Sequence, residues 1–182
     1  MSKKSDTKYA ILGVLTTGCR TGYAIKQLID RSLNHFWKIS YGQIYPVLKQ
    51  LVDEGLATVT DSSQDGKPDK KEYFLTEKGV LELQTWLLAP IKDIPTEKNE
   101  LLLKLFFSRH QTNDVTILHL NDYKEKLQER YNTYLNIEQS ILLYSSDNED
   151  AKFWLFTLDY GKRIAKSAIE WCNDTIDQLK EE

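Results

Sequence analysis

Residues 36–79 read FWKISYGQIYPVLKQLVDEGLATVTDSSQDGKPDKKEYFLTEKG, and a change of period inside this stretch decides the fold. From Ser40 onward Ile44, Val47, Leu48, Leu51 and Val52 recur at i, i+3, i+4, i+7 and i+8, the stripe of an amphipathic helix. Ser40 is the expected N-cap and Gly55 the expected stop. Beyond it the strand formers Leu56, Thr58, Val59 and Thr60 take over. Lys70–Leu75 then alternate, with Tyr73 and Leu75 on one face and Glu72 and Phe74 on the other. The linking DSSQDGKPD is polar and turn-rich, with Asp65-Gly66 at its tip, so the two runs form a hairpin. Thr76 caps a further helix carrying Val80, Leu83 and Leu87.

Upstream, an apolar run from Tyr9 to Thr17 (Tyr9, Ala10, Ile11, Leu12, Val14, Leu15) predicts a helix that stops at Gly18. A second helix is expected from Thr21 as N-cap, with Ile25, Leu28, Ile29, Leu33, Phe36 and Trp37 on one face. Three helices, a hairpin and a helix within residues 1–90 make the winged form of the helix-turn-helix. In that form the third helix enters the DNA major groove and the hairpin reaches the backbone or the minor groove.

The residues fit that chemistry. With the apolar stripe turned inward, the start and outer face of the third helix present Ser40, Tyr41, Gly42, Gln43, Tyr45 and Lys49. Gln43 can donate to and accept from a base edge, as amides do with adenine. Ser40 and Tyr45 offer hydroxyls to phosphate oxygens, Gly42 allows close backbone approach, and the helix start itself favours an anion. Lys67, Lys70 and Lys71 can neutralise phosphates, although Asp61, Asp65, Asp69 and Glu72 around them leave the hairpin nearly neutral. A merely solvated polar face would carry similar residues. Pro46 lacks the N–H that a helix interior needs and predicts a bend or an irregular first turn.

The stretch APIKDIP, ending at Pro95, cannot continue a helix and marks a boundary, giving regions 1–90 and 91–182. The second region reads as helical throughout. Glu97–Ser108 carries Leu101, Leu102, Leu103, Leu105, Phe106 and Phe107, apolar on nearly every side and therefore expected to be buried. Asn113 to about Tyr144 shows a seven-residue recurrence, Leu120, Leu127, Tyr134 and Ile141 in one series. At ~1.5 Å per residue this helix spans some 45–50 Å. A last helix, about Ala151–Lys180, carries Leu158, Gly161, Ala165, Ala168, Cys172 and Leu179 at three- and four-residue spacing. Two readings stay open for these seams. The helices pair with each other as a hairpin, or they cross against a second subunit; the frequency of cyclic dimers favours the second.

Composition narrows the classes. The 182 residues are 41 % hydrophobic and 28 % charged, an ordinary globular balance. No apolar run approaches the ~20 residues of a membrane span, and the opening MSKKSDTKYA lacks a secretory apolar core, so a cytoplasmic, membrane-free protein is expected. Two cysteines, Cys19 and Cys172, make no disulfide framework. Residues 1–90 hold twelve Lys+Arg against ten Asp+Glu, and residues 91–182 twelve against seventeen, so a polyanion is expected to meet the first region. His35, His110 and His119 lie in three settings without metal-ligand spacing, and no Gly-rich phosphate loop or G-x-S-x-G element occurs. Neither an enzyme, a metal site nor a cofactor is expected. Two other readings compete. One is a winged helix used only for protein interaction; the other is a thiol-sensing regulator in which Arg20 lowers the Cys19 pKa.

Residues 9–89 also resemble the winged-helix domain of PadR-type transcriptional regulators. The resemblance rests on YAILGVL at 9–15, TGYAI at 21–25, FWKISYGQIYPVLKQLVDEGL at 36–56 and KKEYFLTEKG at 70–79. NELLLKLFFS at 99–108 and DYGKRIAKSAIEWCNDTIDQL at 159–179 resemble the long C-terminal domain of one PadR subfamily. The resemblance implies a dimeric repressor on a roughly palindromic operator, relieved by a small, often aromatic, molecule. It implies DNA contacts at Tyr23, Ser40, Tyr41, Gln43, Tyr45 and Lys67 or Lys71. Phe106, Phe107, Trp154 and Tyr160 are the aromatic residues expected to line an effector pocket between the domains.

Overall fold

The structure, a computed structural model, describes residues 3–62, 70–91, 94 and 96–181. It divides into two compact units, Met1–Ile94 and Pro95–Glu182. The first holds α1 (Lys3–Thr16), α2 (Gly22–Arg31), α3 (Tyr41–Asp53), β1 (Ala57–Ser62), β2 (Lys70–Leu75) and α4 (Glu77–Leu88). The second holds α5 (Glu100–Phe106), α6 (Asn113–Tyr144) and α7 (Ala151–Glu181). No helix among the described residues is long and apolar enough to cross a membrane.

Local chemistry sets the element ends in the first unit. The Thr21 hydroxyl accepts from the Ala24 N–H at 3.2 Å and starts α2. That helix stops at Arg31, short of the expected Phe36 and Trp37. Ser32 Oγ donates to the Leu28 carbonyl at 2.6 Å, and the Asn34 side-chain oxygen accepts from the Ile39 N–H. These side-chain bonds compete with the helix ladder, leaving a 3₁₀ turn at Leu33–His35 and Phe36 exposed. The α3 helix runs through Pro46, which leaves the Gly42 carbonyl without its usual donor four residues on. It closes as a Schellman motif: Gly55 takes φ +71° while the Gly55 and Leu56 N–H groups donate to Val52 and Leu51.

The hairpin is antiparallel, with register Ala57↔Leu75 through Ser62↔Lys70. Its β2 strand also meets the α1–α2 connection, where the Tyr73 N–H donates to the Arg20 carbonyl at 2.8 Å. The Thr76 hydroxyl caps α4. A Cβ on Gly79 would lie 2.1 Å from the Leu56 carbonyl oxygen, so α4 seats on that turn only because residue 79 is glycine. Of the three apolar residues expected on α4, Leu83 packs on the core, while Val80 and Leu87 are exposed.

Thirteen buried apolar residues from α1, α2, α3, the hairpin and the intervening turns form one core, centred on Ile11, Leu12, Ile25, Ile29, Ile44, Leu48 and Leu51. Each large aliphatic side chain contributes about 1.5–3 kcal/mol by leaving water. At the edge of that core Lys8 Nζ pairs with Glu54 at 2.9 Å and Glu82 at 3.0 Å, tying α1 to the end of α3 and to α4. Tyr9 stacks on Trp86 at 4.8 Å between centroids. Burial alone would lower the Lys8 pKa, but its hydrogen bonds and charge pairing with the two glutamates outweigh it and raise the value.

In the second unit α6 and α7 form an antiparallel hairpin. Asn113 reaches the Leu179 carbonyl, Lys124 the Asn173 side chain, and Lys162 pairs with Glu138. Leu120, Leu127, Cys172 and Ile176 share one buried cluster with Leu101, while Tyr134, Leu158 and Ala165 form another. Only Leu101 of α5 is buried. Leu102, Leu103, Phe106 and Phe107 are exposed, against the burial expected for that segment, because α5 packs on α6 by one side only.

Candidate nucleic-acid interface

The exposed face of the first unit is built on the start of α3. Ser40 is the N-cap, with Tyr41, Gly42 and Gln43 in the first turn and Tyr45 one turn on. All five are exposed, as is Lys49. Nothing of the protein lies within 4 Å of where a Gly42 side chain would begin, so that side of the helix is open.

Gln43 sits differently from the bidentate reading. Its side-chain oxygen accepts from the Ser40 N–H and the Ser40 hydroxyl, both at 2.9 Å. Because a backbone N–H can only donate, the amide oxygen is held inward and the NH₂ group points free. Gln43 therefore offers a donor to a base edge while this cap persists. Pairing to adenine through both amide atoms requires the cap to open.

Beside this turn stand three tyrosines from two helices. The Tyr41 and Tyr45 rings meet edge to face at 5.6 Å, and Lys26 Nζ lies 5.3 Å from the Tyr41 ring centre. Tyr23 accepts from Gln27 Nε2 at 2.7 Å. A hydrogen bond with Tyr41, then partial burial, raises the Tyr45 pKa, so its phenol stays neutral and able to donate at physiological pH. Thr21, Gly22, Tyr23, Tyr45, Lys70 and Lys71 line a cavity of about 410 Å³. Two ammonium groups, two phenols and the start of α2 thus surround one space suited to an anionic oxygen. Of the expected wing lysines, Lys70 and Lys71 are exposed on β2, and Lys67 lies outside the described residues. Signals for Gly22 and Thr21 were present in TGYAI, but nothing local placed them against Tyr45.

The second unit distributes its residues as follows. Leu120, Leu127, Tyr134, Leu158, Ala165 and Cys172 are buried between α6 and α7 of one chain, with Ile141 and Ala168 partly buried against the same clusters. The Tyr134 ring lies 3.0 Å from the site of a Gly161 Cβ, so the row of small residues receives α6 of the same chain. The heptad seam is therefore an intrachain one, and these side chains have almost no surface left for a second copy. What α7 leaves uncovered is another row, Phe153, Phe156, Tyr160, Ile164 and Trp171, spaced by three, four, four and seven. At 100° per residue it lies on roughly the opposite side of α7 from Leu158 and Cys172. That second stripe was legible as aromatic residues at helical spacing, but the small-residue row drew the reading.

Of the four aromatic residues expected to line an effector pocket, Phe106, Phe107 and Tyr160 are exposed and Trp154 is half-buried. Phe106 and Phe107 meet edge to face at 5.0 Å. Cys19 packs partly buried against the core of the first unit, while the Arg20 guanidinium lies over the Phe74 ring at 4.7 Å. Burial raises the pKa of Cys172.

Comparison with known proteins was made on this footing. Residues 11–85 match the transcriptional regulator PadR-like family, and residues 97–180 match the virulence activator alpha C-terminal family. The negative transcriptional regulator PadR of Bacillus subtilis is 32 % identical over 176 residues, which span 94 % of this chain and 96 % of that protein. The crystal structure of Bacillus subtilis PadR in complex with operator DNA matches with TM-score 0.84 at 30 % identity, covering 95 % of this chain and 98 % of that one. The same protein in complex with p-coumaric acid matches with TM-score 0.81 at 26 % identity, covering 100 % and 99 %. With relatives this similar along nearly its whole length, the chain belongs to the PadR-like family of transcriptional regulators.

Proposed function

We propose that this protein is a homodimeric repressor that binds a palindromic operator through its first unit and releases it when a small aromatic molecule binds. The observation that carries the reading is the open turn at Ser40–Tyr45, which sets hydroxyl, amide and phenol groups beside Lys70 and Lys71. Gln43 and Tyr41 reach base edges, while Tyr23, Tyr45, Ser40, Lys49 and the wing lysines Lys67, Lys70 and Lys71 take phosphates. Support comes from the relative solved with operator DNA and named a negative regulator.

Residues 91–182 supply dimerisation. The uncovered row Phe153, Phe156, Tyr160, Ile164 and Trp171 buries itself against a second copy and sets the two α3 helices near one DNA turn apart, ~34 Å. The relative solved with p-coumaric acid supports an aromatic effector, which Phe106, Phe107, Trp154 and Tyr160 would line. Such a ligand weakens DNA binding only by preferring an arrangement of the dimer with the wrong spacing. The reading places the protein in the cytoplasm, with DNA and no membrane as partner.

Fluorescence anisotropy on duplex DNA from upstream of the chain's own gene, against a scrambled duplex at two salt concentrations, tests this. Tight, salt-sensitive binding to the first duplex alone is expected, weakened at least several-fold by phenolic acids. Absence of binding to either duplex at low salt moves the reading to a protein-interaction module.

A further inference from the structure

We infer that Gly22, which bears no side chain able to touch DNA, is a positioning residue for recognition: it seats the Tyr45 ring of α3 against the start of α2. This rests on the proposed DNA-binding role of the α3 face. A Cβ at residue 22 would lie 2.7 Å from Tyr45 Cε1 and Cζ and 2.8 Å from its hydroxyl oxygen, closer than carbon atoms tolerate. Nothing else demands glycine here. Gly22 is not among the glycines with positive φ, and it opens a helix, where alanine is the better helix former. The missing Cβ is therefore room for the ring.

The position of the atoms in conflict decides what a larger residue would do. They belong to the far end of a side chain that is 44 % exposed, so the ring can swing outward without disturbing the core. Gly79 is the contrast, because its conflict is with the Leu56 backbone. Swinging Tyr45 breaks the edge-to-face contact with Tyr41, itself placed by Lys26, and opens the wall of the cavity shared with Lys70 and Lys71. One methyl group on α2 thereby disorganises the contact groups of α3 while leaving both helices in place.

The test uses the full chain and a duplex enriched by wild-type protein from a randomised library. Gly22→Ala is expected to keep the wild-type melting temperature, to shift the ¹³C-labelled Tyr45 ring resonances, and to weaken binding about tenfold, the worth of one lost contact to a charged group. Tyr45→Ala is expected to weaken binding by a similar factor, and Gly22→Ala to add less than twofold in that background. Should Gly22→Ala alone melt early, the double variant must regain the stability. Failure to enrich any duplex sinks the DNA-binding reading itself. Loss of binding in Tyr45→Ala with none in Gly22→Ala overturns the positioning role alone, as do losses that multiply in the double variant.

Discussion

The two units solve the problem of apolar surface in opposite ways. In residues 1–94 three helices and a hairpin close around thirteen buried apolar side chains, and the turn at Ser40–Tyr45 meets solvent with phenols, an amide and a hydroxyl. In residues 95–182 two long helices lie side by side, and a hairpin of helices has too little interior to hide both faces of each. Leu158, Ala165 and Cys172 are covered, while Phe153, Phe156, Tyr160 and Ile164 of the same helix are not. The first unit is complete as a fold and offers a polar face to a ligand. The second stays apolar outside and calls for another protein surface. The difference teaches that burial inside one chain and association between chains draw on separate stripes of one helix.

The largest expected effect attacks the closed core. Gly79→Ala forces a Cβ into the Leu56 carbonyl, and urea unfolding of the first unit is expected to show a loss of about 3 kcal/mol or more. A loss below ~1 kcal/mol would mean that α4 is not held on that turn. Next comes the open stripe. Phe156→Glu with Ile164→Glu is expected to weaken dimerisation at least about a hundredfold in sedimentation equilibrium, with helicity by circular dichroism unchanged. An unaltered dimer would move the interface off this side of α7.

Gln43→Ala removes a capping partner and a base donor together. We expect a stability loss of ~1 kcal/mol and a several-fold weaker, less sequence-selective DNA complex. Weaker binding without lost selectivity would make the residue a cap alone. The Lys8 cluster predicts an acid-sensitive first unit. Its hydrogen bond to Gln50, followed by that to Lys8, lowers the Glu54 pKa, and Lys8 likewise lowers that of Glu82. Their contribution is present above the ordinary value of 4.5 and is lost as pH falls through the depressed values. Both glutamates are about a third exposed, so solvent screening keeps the effect modest, ~1 kcal/mol or less. Lys8→Met is expected to flatten the stability profile below pH 4.5. The smallest effect belongs to the wing: Lys70→Ala and Lys71→Ala should each reduce the salt slope of DNA binding by about one.

Much of this architecture was written locally. The caps at Thr21, Ser40 and Thr76, the stop at Gly55, the paired strands and the extents of α6 and α7 follow from spacing and turn chemistry within a few residues. So does the exposure of Ser40, Tyr41, Gln43 and Tyr45, because the apolar stripe of α3 leaves them no other side. Periodicity, however, says that a stripe is apolar without saying what covers it. Only the packed chain assigned Leu120, Leu127 and Cys172 to the intrachain seam, left Phe106 and Phe107 in solvent, and turned the Gln43 oxygen back to its own cap. It alone brought Gly22 against Tyr45, twenty-three residues away. Spacing is a property of neighbours along the chain, whereas cover and collision depend on which distant surfaces fold together.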